Sequence, residues 1–260
     1  MENGILVTES VNYTKDALFG KWTRWLIFVI CSLPFSLIAF TFDPDKIMTG
    51  TSVHWELIPW TEIVLLCIAG FLLSFIISGY LARIYRGTTP APEFDNWGTL
   101  YIDGIKVAVT GFLWFVPMGI VLLALFATIF AGFGSESVLP TILAAALVII
   151  LIILEIILGI IAVLYSMIGV VRCARTGSIR EGIRFTAITG TLRAIGWVNY
   201  LITLLVLVAI AFVFFLILSL VALIPYAGWV IELVLTPLYS VFSARYLCRV
   251  YDHGMPQATV

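Results

Sequence analysis

The sequence predicts an all-α integral membrane protein with six transmembrane helices in three hairpins, repeated threefold in outline, and two cytoplasmic interfacial amphipathic helices. Three observations predict it. Hydrophobic residues make up 62% of the chain and charged ones 11%, with a mean hydropathy of +1.13, whereas a soluble domain carries about 25% charged residues. Six apolar runs each supply the roughly 20 helical residues that cross a hydrocarbon core of about 30 Å, and none alternates as a barrel strand does. Threaded back and forth, these runs leave thirteen of the fourteen basic residues on one side and Lys46 alone on the other. The positive-inside rule then places both termini in the cytoplasm, in a multi-pass protein of the cell membrane.

Residues 1–21 form a cytoplasmic N-terminal segment, 22–251 a single six-helix transmembrane domain and 252–260 a short cytoplasmic tail. Glu2, Glu9, Lys15 and Asp16 interrupt the start of the chain, which reads as lacking a cleavable signal peptide. In "TESVNYTKDALFGKW" Val11, Ala17, Leu18 and Trp22 fall at approximately helical spacing, as in a short interfacial helix. A frayed polar terminus fits the same residues. The spanning helices are expected over 22–42, 59–85, 105–133, 138–171, 195–224 and 228–250.

Between the second and third helices, Pro90 and Pro92 impose an extended connector, after which Asp95 is placed to cap a helix. Trp97, Leu100, Tyr101, Ile105 and Ala108 then share one apolar face. The pattern predicts an interfacial helix over 96–106, with Gly104 as the bend before the third span. The loop after the fourth helix has the same design over 178–187. There Ser178 and Glu181 match a capping box, Ile179, Ile183 and Ala187 form an apolar face, and Arg180 and Arg184 lie alongside.

The hairpins repeat their punctuation. Each second helix begins near a proline, at Pro59, Pro140 and Pro225, and ends in paired arginines, Arg83 and Arg86, Arg172 and Arg175, Arg245 and Arg249. The alternative is that prolines at helix starts and snorkelling arginines at cytoplasmic ends recur in unrelated membrane helices. Small residues run along each second helix: Gly70, Ser74, Ser78 and Ala82; Gly159, Ala162, Ser166 and Gly169; Thr236, Ser240 and Ala244. Such stripes let helices pack closely and mark the second, fourth and sixth as an inner layer.

Acids inside membrane helices cost about 2.5–3.5 kcal/mol on insertion scales and so are functional candidates. Glu155 heads the small-residue stripe of the fourth helix, and Glu232 lies near the outer end of the sixth. For Glu155 two readings stand: a packed carboxyl hydrogen-bonded to Asn199 or Thr203, or an ion or proton site. The four cysteines, Cys31, Cys67, Cys173 and Cys248, lie in helices or at their cytoplasmic ends, and the two histidines, His54 and His253, fall on opposite sides. No disulfide framework, metal site or cofactor is expected. Phosphate-binding loops, His-Glu-x-x-His and Gly-x-Ser-x-Gly are missing, so no catalytic residue is assigned.

"GYLARIYRG" followed by "PEFDNWGTLYIDGIKVAV" is similar to the loop signature of an archaeal membrane-protein family, domain of unknown function 4013. "ARTGSIREGIRF" and "LIPYAGWVIELVLTPLYSVFSARYLCRVY" also resemble its second half, extending the resemblance over most of the chain from about Trp22. By that resemblance Phe94, Asp95, Trp97, Asp103, Gly104 and Lys106 mark the signature, with no activity attached. The leading functional reading is a non-enzymatic membrane module. Its basic contacts, Arg83, Arg86, Arg172, Arg175, Arg180, Arg184, Arg245 and Arg249, would meet membrane lipids or an unidentified membrane or cytoplasmic protein, and no nucleic acid. The alternatives are a transporter or channel using Glu155 and Glu232 and, third, an intramembrane enzyme.

Overall fold

The computed structural model describes residues 3–41, 48–49, 52–133, 138–224 and 227–254. The helices are α1 (Asn3–Leu18), α2 (Trp22–Thr41), α3 (Trp60–Tyr85), α4 (Trp97–Phe133), α5 (Val138–Thr176), α6 (Ile179–Gly182), α7 (Phe185–Ile195), α8 (Trp197–Ala222) and α9 (Gly228–His253). Between α2 and α3 lie an antiparallel pair of two-residue strands, β1 (Met48–Thr49) and β2 (Ser52–Val53), and a 3-10 turn, Trp55–Leu57. Six helices, α2, α3, α4, α5, α8 and α9, are long and apolar enough to cross a membrane, which makes this a multi-pass membrane protein. Lys46, Ser135, Pro225 and the tail from 255 lie outside the described residues.

The chain forms two compact units, Met1–Ile105 with Leu192–Val260, and Lys106–Thr191. In the first, α2 packs on α3, and α9 contacts α1, α2, α3 and α8. Its fully buried large side chains include Phe28, Tyr80, Tyr200, Tyr246 and Tyr251. Aromatic rings supply dispersion contacts where lipid leaves little hydrophobic drive between helices, and tyrosine adds a hydroxyl that reaches backbone. Tyr246 thus donates to the Thr203 carbonyl at 3.0 Å.

Gly104 corrects the expected bend. α4 runs unbroken for 37 residues from Trp97, about 55 Å at 1.5 Å per residue, longer than the hydrocarbon core. A Cβ on Gly104 would lie 1.8 Å from the Phe75 carbonyl oxygen, and one on Gly79 would lie 2.0 Å from that of Leu100. These glycines bring α3 and α4 together backbone to backbone. The buried stripe of α4 is accordingly Leu100, Gly104 and Val107, rotated from the predicted face. Asp95 is not the cap either: Asn96 makes the turn at φ 45°, its carbonyl accepting from the Leu100 amide at 3.0 Å, and the Asp95 carboxylate goes to Arg83.

In the second unit α4 runs back alongside α5. Trp114 lies 5.4 Å from Tyr165 between ring centroids, and the Cys173 thiol points to the Lys106 carbonyl at 3.6 Å. Ala162, Ser166 and Gly169 of the α5 stripe are buried, as expected of a packing stripe. The helix expected over 178–187 is instead one turn, α6, followed by a second helix starting at Phe185. Ser178 makes no side-chain cap bond, because Glu181 is drawn to arginines instead. The break puts Phe185 face to face with Tyr165 at 4.4 Å and lets the Trp114 indole donate to the Gly182 carbonyl at 3.1 Å.

Candidate functional site

In each unit arginines stand near helix ends, and acids from adjoining segments hold them. In the first unit the buried Arg24 of α2 grips Glu93 with two hydrogen bonds, Nε to Oε2 at 3.0 Å and Nη2 to Oε1, and also donates to the carbonyls of Ala17 and Ala91. Arg83 binds the Asp95 carboxylate and the carbonyls of Glu93 and Asp95, at 2.7 and 2.8 Å. Arg86 pairs with Asp103 at 2.7 Å. At the end of α9, Arg249 pairs with Glu9 of α1 at 2.7 Å, and Arg245 sits over the Tyr13 ring at 4.5 Å. In the second unit Glu181 accepts from Arg172 at 2.6 Å and from Arg184 at 3.1 Å, and Arg175 is partnered as well. Arg180 is exposed, with no hydrogen bond or ion pair among the described residues.

The family-like signature is explained by these contacts. Phe94 stacks on Tyr80 at 4.4 Å, meets Phe28 edge-on at 5.6 Å and lies 6.1 Å from Trp97. Asp95 and Asp103 each hold an arginine, Gly104 permits the crossing with α3, and the Lys106 carbonyl receives the Thr110 hydroxyl at 2.8 Å. Sequence reading passed over Arg24, Glu93, Glu9 and Tyr13. The one local signal was a basic residue three positions into a spanning helix, which must find an acid. The Arg24 hydrogen bonds hold the Glu93 carboxyl below the usual carboxylate range, those from Arg172 and Arg184 do the same for Glu181, and burial pushes the Tyr13 hydroxyl up.

Helix α1 has two apolar faces. Leu6, Tyr13, Ala17 and Leu18 are buried, while Val11 and, just past the helix end, Phe19 remain exposed. The exposed face roofs a groove of about 510 Å³ whose walls are Ile210 and Phe214 of α8 and Leu238 and Phe242 of α9, with Lys15 at its rim. Among the described residues Lys15 has no ion pair.

The two helix acids lie in different surroundings. Both carboxyl oxygens of Glu155 are buried and have no hydrogen-bond partner among the described residues. The partners expected for it are engaged elsewhere: Asn199 donates to the Ile195 carbonyl at 3.5 Å, and Thr203 bonds the Asn3 side chain and the Asn199 carbonyl, at 3.1 and 2.7 Å. Glu232 opens into a second cavity, of about 430 Å³, lined by residues of α2, α3 and α9 that include Ser32, Ser36, Ser74, Thr236, Phe35 and Trp229. Among the described residues no group of three His, Cys, Asp or Glu side chains is placed to hold a metal, and no cysteine is in a disulfide.

Six long apolar helices, three of them ending in arginines held by acids, define a helical multi-pass membrane protein. The chain belongs to the family described as protein of unknown function (DUF4013), whose sequence profile matches residues 63–223. The match runs from the start of α3 to the end of α8 and contains the signature, but it is shorter at both ends than the stretch from Trp22 onward. No curated protein and no solved structure matches the chain.

Proposed function

We propose that the protein is a non-enzymatic membrane module that holds an anionic lipid at its cytoplasmic face. The groove beneath α1 carries this reading. Its walls are apolar from the α1 roof to Phe214 and Leu238, and its lining includes Lys15, which has no ion pair among the described residues. An acyl chain in the groove restores the dispersion contacts that a void would forfeit. Since lipid tails are as apolar as the groove, selectivity falls to the head group, at about 1 kcal/mol per nearby lysine or arginine. Lys21 and Arg193 of the same unit, exposed and without ion pairs among the described residues, add to the same attraction.

The orientation belongs to this proposal: both termini and the arginine ends are cytoplasmic, α1 and the α6–α7 segment lie along the interface, and the six spans form three repeated hairpins. What supports the repeat is that each arginine end takes an acid from a neighbouring segment, Arg83 from Asp95, Arg172 from Glu181 and Arg249 from Glu9. Single cysteines at Thr89 and at Ser135, the latter outside the described residues, should label from the inside and the outside respectively; the reverse pattern removes the topology. For the lipid, native mass spectrometry from nanodiscs of mixed phosphatidylglycerol and phosphatidylcholine should find phosphatidylglycerol retained. Lys15→Glu should cut that retention about fivefold or more, the factor that 1 kcal/mol supplies, and Leu238→Trp should displace the chain. Equal retention of both lipids by the wild type would reject the proposal.

A second reading, transport of an ion or small solute, is favoured by the unpartnered buried carboxyl of Glu155. Reconstituted vesicles should then show a pH-dependent or ion-dependent flux that Glu155→Gln abolishes, since the amide cannot ionise. Vesicles with no flux for a broad panel of ions leave this reading without support.

A further inference from the structure

The cavity at Glu232 lies near the start of α9, four residues after Gly228 and at the end remote from Arg245 and Arg249. Three of its hydroxyls have their protons engaged. Thr236 donates its hydroxyl proton to the Glu232 carbonyl at 2.8 Å, Ser74 to the Phe71 carbonyl at 2.7 Å and Ser36 to the Ser32 carbonyl at 3.5 Å. With the donors engaged on their own helices, these hydroxyls present lone pairs to the cavity. The Glu232 side chain, an acceptor as carboxylate, is exposed and has no hydrogen bond or ion pair among the described residues.

We propose that this cavity binds a small organic ammonium ion that carries N–H groups. The acceptor set calls for a cation with several donors. A volume of about 430 Å³ falls in the range of about 300–1,000 Å³ typical of organic ligands, whereas a water-sized ion needs about 30 Å³. Phe35 and Trp229 complete the lining, with Trp229 held edge-on by Phe40 at 4.8 Å, and aromatic faces attract ammonium groups. The ammonium group would lie between Glu232, the hydroxyls and a ring face, and its carbon chain along Ala39, Ile77 and Leu233. The same chemistry is offered by a free amine and by the head group of phosphatidylethanolamine.

The full-length protein in nanodiscs of phosphatidylcholine and phosphatidylglycerol, titrated calorimetrically with butylammonium, tests this. Saturable binding is expected, with none for butanol and at least tenfold weaker binding for tetramethylammonium, which has no N–H. Glu232→Gln should weaken butylammonium binding at least tenfold. Ser74→Ala, which removes one acceptor from a helix surface, should weaken it about threefold and serves if the first variant does not fold. Adding phosphatidylethanolamine to the discs separates the sources: competition with butylammonium assigns the site to the lipid head group, and an unchanged titration assigns it to a free amine. No saturable butylammonium binding in the ethanolamine-free discs, equal binding by butanol or tetramethylammonium, or wild-type affinity in both variants would overturn the proposal.

Discussion

Gly79 and Gly104 work as a pair, each receiving the backbone of the opposite helix, so an added methyl group at either meets a carbonyl and not a yielding side chain. Gly79→Ala and Gly104→Ala are each expected to cost about 1–3 kcal/mol, the usual scale of overpacking. Gly98→Ala, on the same helix with nothing within 4 Å of the added carbon, should be neutral or slightly stabilising. Thermal unfolding in detergent would compare them, and a Gly104→Ala variant as stable as Gly98→Ala would contradict the close crossing. Glu93→Gln leaves the buried Arg24 guanidinium with carbonyls and a neutral amide in place of a carboxylate. A loss of about 1–3 kcal/mol is expected in the same assay. Neither effect was legible from local pattern. Gly104 beside a polar loop reads as a bend and Asp95 before an apolar face reads as a cap; both readings use only sequence neighbours. The partners that decide the matter come from α3, and for Glu93 from α2.

At the level of elements, the spans were legible because length and hydropathy alone specify a membrane crossing, without regard to partners. The loop elements were not, because several forces compete within a few residues. In α6 the Ser178–Glu181 pair satisfies the capping rule in sequence, yet two guanidinium groups outbid a backbone amide for the Glu181 carboxylate. A pH dependence follows for these connectors. Glu93 and Glu181 both have folded-state pKa values lowered by arginine hydrogen bonds. A lowered carboxyl contributes stability above its unfolded pKa, about 4.3, and loses it as the pH falls through the folded value. Amide exchange over residues 87–96 and 177–184 should therefore stay constant from pH 7 to about 5, after correction for intrinsic rates, and rise below about 4. Protection that is unchanged down to pH 3 would mean that the acids do not hold these segments.

Across the whole molecule, the arginine ends of α3, α5 and α9 are each secured, the first two by the loop that follows and the last by α1. That reach between distant segments makes Glu9 and Arg249 suitable for a charge exchange. Glu9→Arg and Arg249→Glu are each expected to destabilise by about 1 kcal/mol, as like charges replace a half-exposed pair, and the double variant should recover most of the loss. Strictly additive losses would show that the pair is incidental.

The same pair has a consequence for biogenesis. Glu9 leaves the ribosome 240 residues before Arg249, an interval of roughly 10–50 s at synthesis rates of about 5–20 residues per second. Throughout that interval the face of α1 that carries Leu6, Tyr13 and Ala17 has no α9 to cover it. The packing of α1 is thus completed only once α9 has been made. A nascent chain stalled before α9 displays an apolar face of α1 that α9 otherwise covers.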